Sequence, residues 1–394
     1  MKIIYIEQDG KKTSCKLDKN FSKVADFSFL NGSNKRAFVQ KFYSAFAQAQ
    51  KMVLFDNKHL QLVEFYKEKS FNTFKGIENF PKEAQILFFT SGSSGFPVGA
   101  FKTLQNLEQE VQILYELLKH RGIKKVVVSV PFIHIYGILA GLLLPQKLQA
   151  ELIIKEDFLP YELLEEAKAP NTLVVTTPVF IKALNRLSKD LKLDKTLFLS
   201  STGPLHKDDV THFEKKYTTK LMQLFGSTET GGIAYKVGDT DIWTPLPLVS
   251  VITKKQKLAV QSPFVSSHLL KKNIQKLIQP FISEDIIAIK EDGFILLGRG
   301  NKLIKIAGKR VSAHVIEMIL EEMDGIVKAV VELVYKKELL RSEQILITLQ
   351  ATKQIDKQEI KNKITTFYGV LTIPFRVVYV DEINITSMGK KVLF

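Results

Sequence analysis

Apolar and polar positions come in alternating blocks along this 394-residue chain. Short apolar runs recur at Lys125–Val130, Glu151–Ile154, Leu173–Thr176, Thr196–Leu199 and Leu221–Leu224, and each reads as a buried strand. Stretches with helical spacing lie between them. In Leu104–His120 the residues Leu107, Val111, Leu114 and Leu118 fall on one face of a helix. Strands alternating with helices predict an α/β fold whose mainly parallel sheets are flanked by helices. Ligands of such sheets bind beyond the carboxyl ends of the strands.

The pattern shifts near Arg299. Beyond it the blocks predict strand Leu303–Ile306, helix Ser312–Met323, strands Ile326–Val334 and Ile345–Leu349, helix Lys357–Phe367 and strand Phe375–Val380. Ser312 is the expected helix cap and Gly325 its stop. The expected division is a large N-terminal domain over residues 1–298 and a small α+β domain over residues 299–394. At the other end, MKIIYIEQDGKK lacks the apolar core of a signal peptide and predicts a hairpin turning at Asp9-Gly10. Residues 126–145 carry no Asp, Glu, Lys or Arg over a length that suits a bilayer. Pro131, His134 and Gly137 interrupt them, and they begin Val126-Val127-Val128, so a strand, a loop and a buried helix are expected instead of a membrane span.

Composition narrows the class. Hydrophobic residues make up 45% of the chain and charged residues 25%, the balance of an ordinary globular protein. The single cysteine, Cys15, excludes an internal disulfide and a cysteine-rich metal site, and it suits a cytoplasmic location. Net charge is +15, spread as lysine with no arginine-rich tract. That surplus suits polyanionic ligands such as ATP, coenzyme A or an acidic carrier protein. A nucleic-acid binder is a competing class supported by charge alone, and its mark would be steep loss of binding with added salt.

Candidate chemistry begins at Phe88–Gly99, FFTSGSSGFPVG, directly after the apolar run Gln85–Phe89. Thr90, Ser91, Ser93 and Ser94 offer hydroxyl groups, while Gly92, Gly95 and Gly99 free the backbone to turn N–H groups toward an anion. No Gly-Lys-Ser/Thr closes the loop, so it is not a Walker A motif. Taken alone it is a Ser/Gly surface turn. PFIHIYG places His134 at an apolar strand exit, which alone suits a packed core histidine. FGSTETGG, Phe225 to Gly232, puts an aromatic ring, hydroxyls and a carboxylate within five residues, which alone suits a capped turn. Residues 283–311 supply Asp285, Arg299 and Lys305, and Met388-Gly389-Lys390-Lys391 supplies a lysine on a glycine-bearing loop; alone these are solvated charges and a tail.

Together and in this order the segments resemble the adenylate-forming superfamily of acyl-CoA synthetases, peptide-synthetase adenylation domains and luciferases. Its loop (Y/F)TSG(S/T)TGxPKG is similar to FFTSGSSGFPVG, and its P-x-F-H-x-x-G to Pro131–Gly137. Its S-G-x-x-P-L segment is similar to Ser200–Leu205, its YGxTE to Phe225–Glu229, and its T-G-D to Ser283-Glu284-Asp285. The run G-R-x-x-(D/K)-x-I-K-x-x-G-x-R-V is similar to Gly298–Val311, followed by Glu317, and the final G-K to Gly389-Lys390. The likeness covers Ile86 to the end. Each match is short, but seven in order across a large and a small domain are specific.

The resemblance implies a two-step reaction. A carboxylate attacks the α-phosphate of ATP to give an acyl-adenylate and pyrophosphate, and a thiol then takes the acyl group as AMP leaves. It also implies roles. Thr90, Ser91, Gly92, Ser93, Ser94 and Gly95 would hold the β- and γ-phosphates, and Glu229 would be the carboxylate ligand of Mg²⁺. Thr228 would contact the α-phosphate. Phe225 would stack on adenine, with the backbone at Gly203 and Pro204 lining the other side, and Gly226 and Ser227 belong to the nucleotide-binding set. Asp285 and Arg299 would bind the ribose hydroxyls, and Lys305 belongs to the same nucleotide-binding set. Lys390 would bridge the attacking carboxylate and the α-phosphate. Lys302 takes the hinge position about which the mobile small domain turns, presenting Ile306-Ala307-Gly308 for the thiol step, and His134 would gate the acyl pocket.

This chain departs from the family in three places. Val98 stands where the loop lysine is usual, and Lys102 is the candidate replacement cation. The loop begins at residue 90, so a shortened N-terminal region is expected. Phe225 stands where tyrosine is usual, and the proline flanking the final Gly-Lys is missing. The expected function is an acid–thiol ligase acting on an aromatic or medium-chain carboxylic acid, with coenzyme A as the first candidate thiol. The phosphopantetheine of an acidic acyl carrier protein is the alternative thiol. A degenerate homologue that binds nucleotide without turnover is the second class, motivated by Val98.

Overall fold

The computed structural model describes residues 1–16, 27–55, 80–90, 98–271, 273–299, 303–306, 309–335, 343–368, 374–385 and 391–392. The chain divides into two compact units, one formed by Met1–Val251 with Val260–Phe281 and the other by Ile252–Ala259 with Ile282–Phe394.

In the first unit the predicted strands form one sheet. Its spatial order runs Ile242–Pro245, Gly231–Val237, Lys220–Ser227, Thr196–Ser200, Thr172–Thr176, Lys125–Val128, Glu151–Lys155, Lys2–Ile6 and Lys12–Lys16. The strands from Lys220–Ser227 to Lys2–Ile6 pair in parallel, and the flanking strands pair antiparallel. Both faces of the parallel strands are apolar, as burial on two sides demands. Val126, Val128, Leu197 and Leu199 enter one core with Leu107, Val111, Leu114 and Leu118 of the Leu104–Leu118 helix. Val127, Val174 and Phe198 enter a second core under the helices Pro160–Ala167, Pro178–Asn185 and Lys207–Tyr217. The N-terminal hairpin turns at Asp9-Gly10, where Asp9 Oδ1 accepts from the Lys11 N–H at 2.9 Å.

The apolar stretch 126–145 is accounted for by burial inside the protein. It forms strand Lys125–Val128, the short helix Ile135–Ile138 and the π-turn Leu139–Leu143, packed into the first core except for Val127 on the other face of the strand. Among the described residues no helix is long and apolar enough to cross a membrane.

The first unit holds a second sheet that the blocks did not reveal. Its order is Ile274–Lys276, His268–Leu270, Val98–Thr103, Ala84–Thr90, Lys51–Phe55 and Phe27–Asn31. Ala84–Thr90 pairs in parallel with Lys51–Phe55 on one side and antiparallel with Val98–Thr103 on the other, Thr90 opposite Val98, so the Gly/Ser loop leaves the carboxyl end of a strand in a mixed sheet and joins it to its hairpin partner. Both strands of this hairpin are buried.

The second unit follows the predicted blocks. Ile326–Tyr335 and Glu343–Ala351 pair antiparallel, and Phe375–Tyr379 adds in parallel. Helices Ala313–Glu321 and Lys357–Tyr368 cover them, burying Ile316, Leu320, Ile345, Ile347, Ile360 and Ile364. Two further hairpins, Phe281–Lys290 with Gly293–Arg299 and Leu303–Ile306 with Lys309–Ser312, and the short pair Asn384–Ile385 with Lys391–Val392 also lie in the second unit or at its edge.

Candidate active site

The candidate residues fall into two groups, one in each unit. In the first, His134 precedes the Ile135–Ile138 helix in an extended conformation and is half-buried. The spacing of Pro131, His134 and Gly137 has a steric cause. A Cβ on Gly137 would lie 2.0 Å from the Pro131 carbonyl oxygen, so only glycine lets the helix close over the strand exit and present His134. Gly137→Ala is expected to cost about 1–3 kcal/mol, read as a lower urea midpoint.

The Phe225–Gly232 segment is a tight hairpin between Lys220–Ser227 and Gly231–Val237, with a bulge at Phe225/Gly226. Its turn is tied internally. The Ser227 N–H donates to Thr230 Oγ1 at 3.1 Å, and the Thr230 N–H donates to Ser227 Oγ at 3.2 Å. It is also moored from outside, because the Ser266 N–H donates to the Glu229 carbonyl at 2.8 Å and Ser266 Oγ to the Thr228 carbonyl at 3.1 Å. Thr228 and Glu229 therefore have fixed backbones and half-exposed side chains. Phe225 is half-buried against Trp243, ring centroids 5.5 Å apart, and Lys236 Nζ lies 4.8 Å over the Trp243 ring. Trp243 was not marked by any motif, since it comes from the neighbouring Ile242–Pro245 strand. Gly203 and Pro204 are exposed beyond the end of Thr196–Ser200, at the carboxyl end of a parallel strand.

Beneath this turn lies a pair of charges that sequence reading missed. Lys102 is fully buried and its Nζ donates to the Phe264 carbonyl. The expectation that Lys102 replaces the loop cation is corrected here, because an ammonium sealed from solvent and engaged by a carbonyl presents no charge to a phosphate. Glu110, on the Leu104–Leu118 helix, is 4% exposed; its Oε1 accepts from the Gly232 N–H at 2.6 Å, and its Oε2 is buried with no hydrogen-bond partner among the described residues. Burial pushes the Glu110 carboxyl up to about 7, against the pull of Lys102 and the Gly232 N–H. Burial likewise brings Lys102 down to about 8, against the attraction of Glu110 and then Glu229. The carboxylate also explains the double glycine. A Cβ on Gly231, at φ +72°, would lie 2.5 Å from Glu110 Oε2, and one on Gly232 would lie 3.0 Å from Oε1.

In the second unit Asp285 and Arg299 stand directly opposite in the register of the hairpin formed by Phe281–Lys290 and Gly293–Arg299. Ser283 Oγ donates to Asp285 Oδ2 at 2.8 Å and accepts from the Asp285 N–H at 2.8 Å, so the carboxylate is oriented. Lys305 lies in the Leu303–Ile306 strand opposite Arg310. Glu317 is a buried anchor. It accepts from the Val331 N–H at 3.0 Å, lies 3.2 Å from His314 Nδ1 and 3.4 Å from Lys391 Nζ. Lys391 Nζ also pairs with Glu321 and donates to the Ala329 carbonyl at 2.9 Å, which fixes the chain one residue after Lys390. Ser91, Gly92, Ser93, Ser94, Gly95, Lys302, Ala307, Gly308 and Lys390 lie outside the described residues, and of Thr90, Arg299 and Lys305 only the backbone is described.

Among the described residues no three His, Cys, Asp or Glu side chains converge as a metal cage. One half-exposed carboxylate, Glu229, fits an ion that takes most of its ligands from water and substrate phosphates, as Mg²⁺ does.

The topology is that of the adenylate-forming enzymes. ATP-bound MatB from Rhodopseudomonas palustris superposes with a TM-score of 0.77 over 98% of this chain and 93% of its own, at 17% identity. O-succinylbenzoate coenzyme A synthetase (MenE) from Bacillus subtilis, in complex with ATP and magnesium ion, gives 0.77 over 98% and 95%, at 15% identity. Residues 32–262 match the AMP-binding enzyme family, and the chain belongs to that family. A 4-coumarate–CoA ligase from Cereibacter sphaeroides is 26% identical over 240 residues, covering 60% of this chain and 54% of its own length. A 3,4-dihydroxybenzoate–[aryl-carrier protein] ligase from Bacillus anthracis is 22% identical over 332 residues, covering 82% and 76%. The chain spans about half the length of the first of these ligases.

Proposed function

We propose that the chain is an ATP-dependent carboxylic acid–thiol ligase. It forms an acyl-adenylate with release of pyrophosphate, then passes the acyl group to a thiol, coenzyme A first among the candidates. The observation that carries this reading is the Thr228–Gly232 turn, which holds a half-exposed carboxylate on a doubly moored backbone in a member of the AMP-binding family.

In the first step an oxygen of the acid attacks the α-phosphorus and the bond to pyrophosphate breaks. Anion approaches anion, so each residue serves to place or neutralise charge. The Thr90–Gly95 loop would donate N–H and hydroxyl groups to the β- and γ-phosphates, and Thr228 and Lys390 to the α-phosphate oxygens. Glu229 would hold Mg²⁺, which when bound neutralises phosphate charge. Phe225 offers its ring to adenine, and Asp285 accepts from the ribose while Arg299 donates to it. In the second step the thiolate sulfur attacks the acyl carbon and AMP leaves.

An aromatic or medium-chain acid is the proposed substrate class; the names of the coumarate and dihydroxybenzoate ligases support the aromatic half. A carrier-protein thiol remains the second reading, favoured by the 76% share of the aryl-carrier ligase that this chain spans. Hydroxamate trapping across a panel of acids tests the first step, and supplying coenzyme A or a phosphopantetheinylated carrier separates the two thiols. ATP binding without adenylate from any acid would return the degenerate reading. A direct test of the adenine site uses the single tryptophan. Trp243 touches Phe225, so ATP is expected to change its fluorescence, and Phe225→Ala to weaken ATP binding by about 10-fold, the scale of one base–aromatic stack.

A further inference from the structure

We propose that Lys102 and Glu110 are positioning residues for Glu229, holding the Thr228–Gly232 turn at both ends from inside the first unit. The inference rests on the reading of Glu229 as the Mg²⁺ ligand. At the far end of the turn, Glu110 Oε1 accepts from the Gly232 N–H at 2.6 Å. At the near end the tie runs through residues 263–266. Lys102 Nζ donates to the Phe264 carbonyl, and Asn106 Nδ2 donates to the Pro263 carbonyl at 2.6 Å. Two residues on, Ser266 holds the carbonyls of both Thr228 and Glu229. Asn106 is itself fixed, because it forms a reciprocal cap with Thr103 at the start of the Leu104–Leu118 helix. The three mooring residues Lys102, Asn106 and Glu110 therefore come from one continuous strand-to-helix segment.

The chemistry explains why charges are used. No hydrogen bond joins Lys102 to Glu110, so their attraction acts through the interior and favours one arrangement of the two elements that carry them. Two buried charges add little net stability compared with apolar side chains of the same size. Their value here is geometric, since partners that orient a metal ligand set its affinity even without touching the ion.

The test is the gain in ATP affinity that Mg²⁺ confers, measured by calorimetry as the ratio of Kd in EDTA to Kd in excess Mg²⁺. The variants are Lys102→Met/Glu110→Gln, Ser266→Ala and Glu229→Gln. The double variant keeps side-chain volume, removes both charges and leaves Gly232 an acceptor. It is expected to lose about 10-fold in the Mg²⁺ gain, with Kd in EDTA unchanged. Ser266→Ala cuts only the Thr228 tie and is expected to shift the ratio in the same direction, which keeps the test open should the double variant not fold. A wild-type ratio in a folded double variant, or in Ser266→Ala, overturns the proposal. Equal weakening with and without Mg²⁺ overturns it too, since that marks general damage. A wild-type ratio in Glu229→Gln removes the metal role of Glu229 itself and the proposal with it, so the two failures are told apart by which variant is silent.

Discussion

Lys102→Met is expected to lower the stability of the first unit by about 3–5 kcal/mol at pH 8, the cost of leaving a buried charge without its partner. The variant removes the lysine whose charge acts on Glu110 and strips the Phe264 carbonyl of that donor. Urea unfolding followed by Trp243 reads this unit, because the single tryptophan lies in it. The sign of the pH dependence follows from the two shifts. Glu110 is raised from 4.5 to about 7, so the folded state keeps a proton that the unfolded chain has released, and this contribution to stability is lost as pH rises through that window. Lys102 is lowered from 10.5 to about 8, so its contribution is present at high pH and lost as pH falls through 8. The wild-type pair therefore contributes least between about pH 7 and 8. The cost of Lys102→Met shrinks toward pH 5, where the remaining carboxyl is protonated. Adding Glu110→Gln is expected to recover most of the loss at pH 8. A single-variant cost that is the same at pH 5 and pH 8 would show that Glu110 does not ionise in the interior.

Lys390→Ala is expected to reduce acyl-adenylate formation by about 10²–10³-fold, the scale of removing one preorganised group that meets charge developing in a transition state. Carboxylate and α-phosphate carry like charge, and the proposed lysine would lie between them. The next residue, Lys391, is held by Glu317, Glu321 and the Ala329 carbonyl. The measurement is hydroxamate formation at saturating ATP and acid, with ATP binding followed by Trp243 fluorescence. Unchanged binding with lost turnover is the expected pattern, and unchanged turnover would remove Lys390 from the reaction.

Local pattern carried far in this chain because much of the fold is built from runs with one meaning. Strands such as Thr172–Thr176 are apolar on both faces, and the Leu104–Leu118 helix shows its stripe openly. The second unit was legible block by block for the same reason. What stayed hidden was pairing. Nothing in Gln85–Phe89 tells a parallel from an antiparallel neighbour, so the hairpin at the Gly/Ser loop emerged only from the register of Thr90 with Val98. Lys102 shows how the same limit affects chemistry. By spacing it was a cation near a phosphate loop, yet its strand turns it inward to the Phe264 carbonyl, 162 residues away in sequence.

The order of short motifs, each with its glycines, hydroxyls and charges, was settled by sequence alone, and so was the α/β character, because both depend on neighbours a few residues apart. The steric need for Gly137 against Pro131, the mooring of Thr228 and Glu229 by Ser266, and the buried partnership of Lys102 with Glu110 were decided by tertiary structure. Each of these depends on an atom delivered from a different element, and only the packed chain brings those atoms within reach.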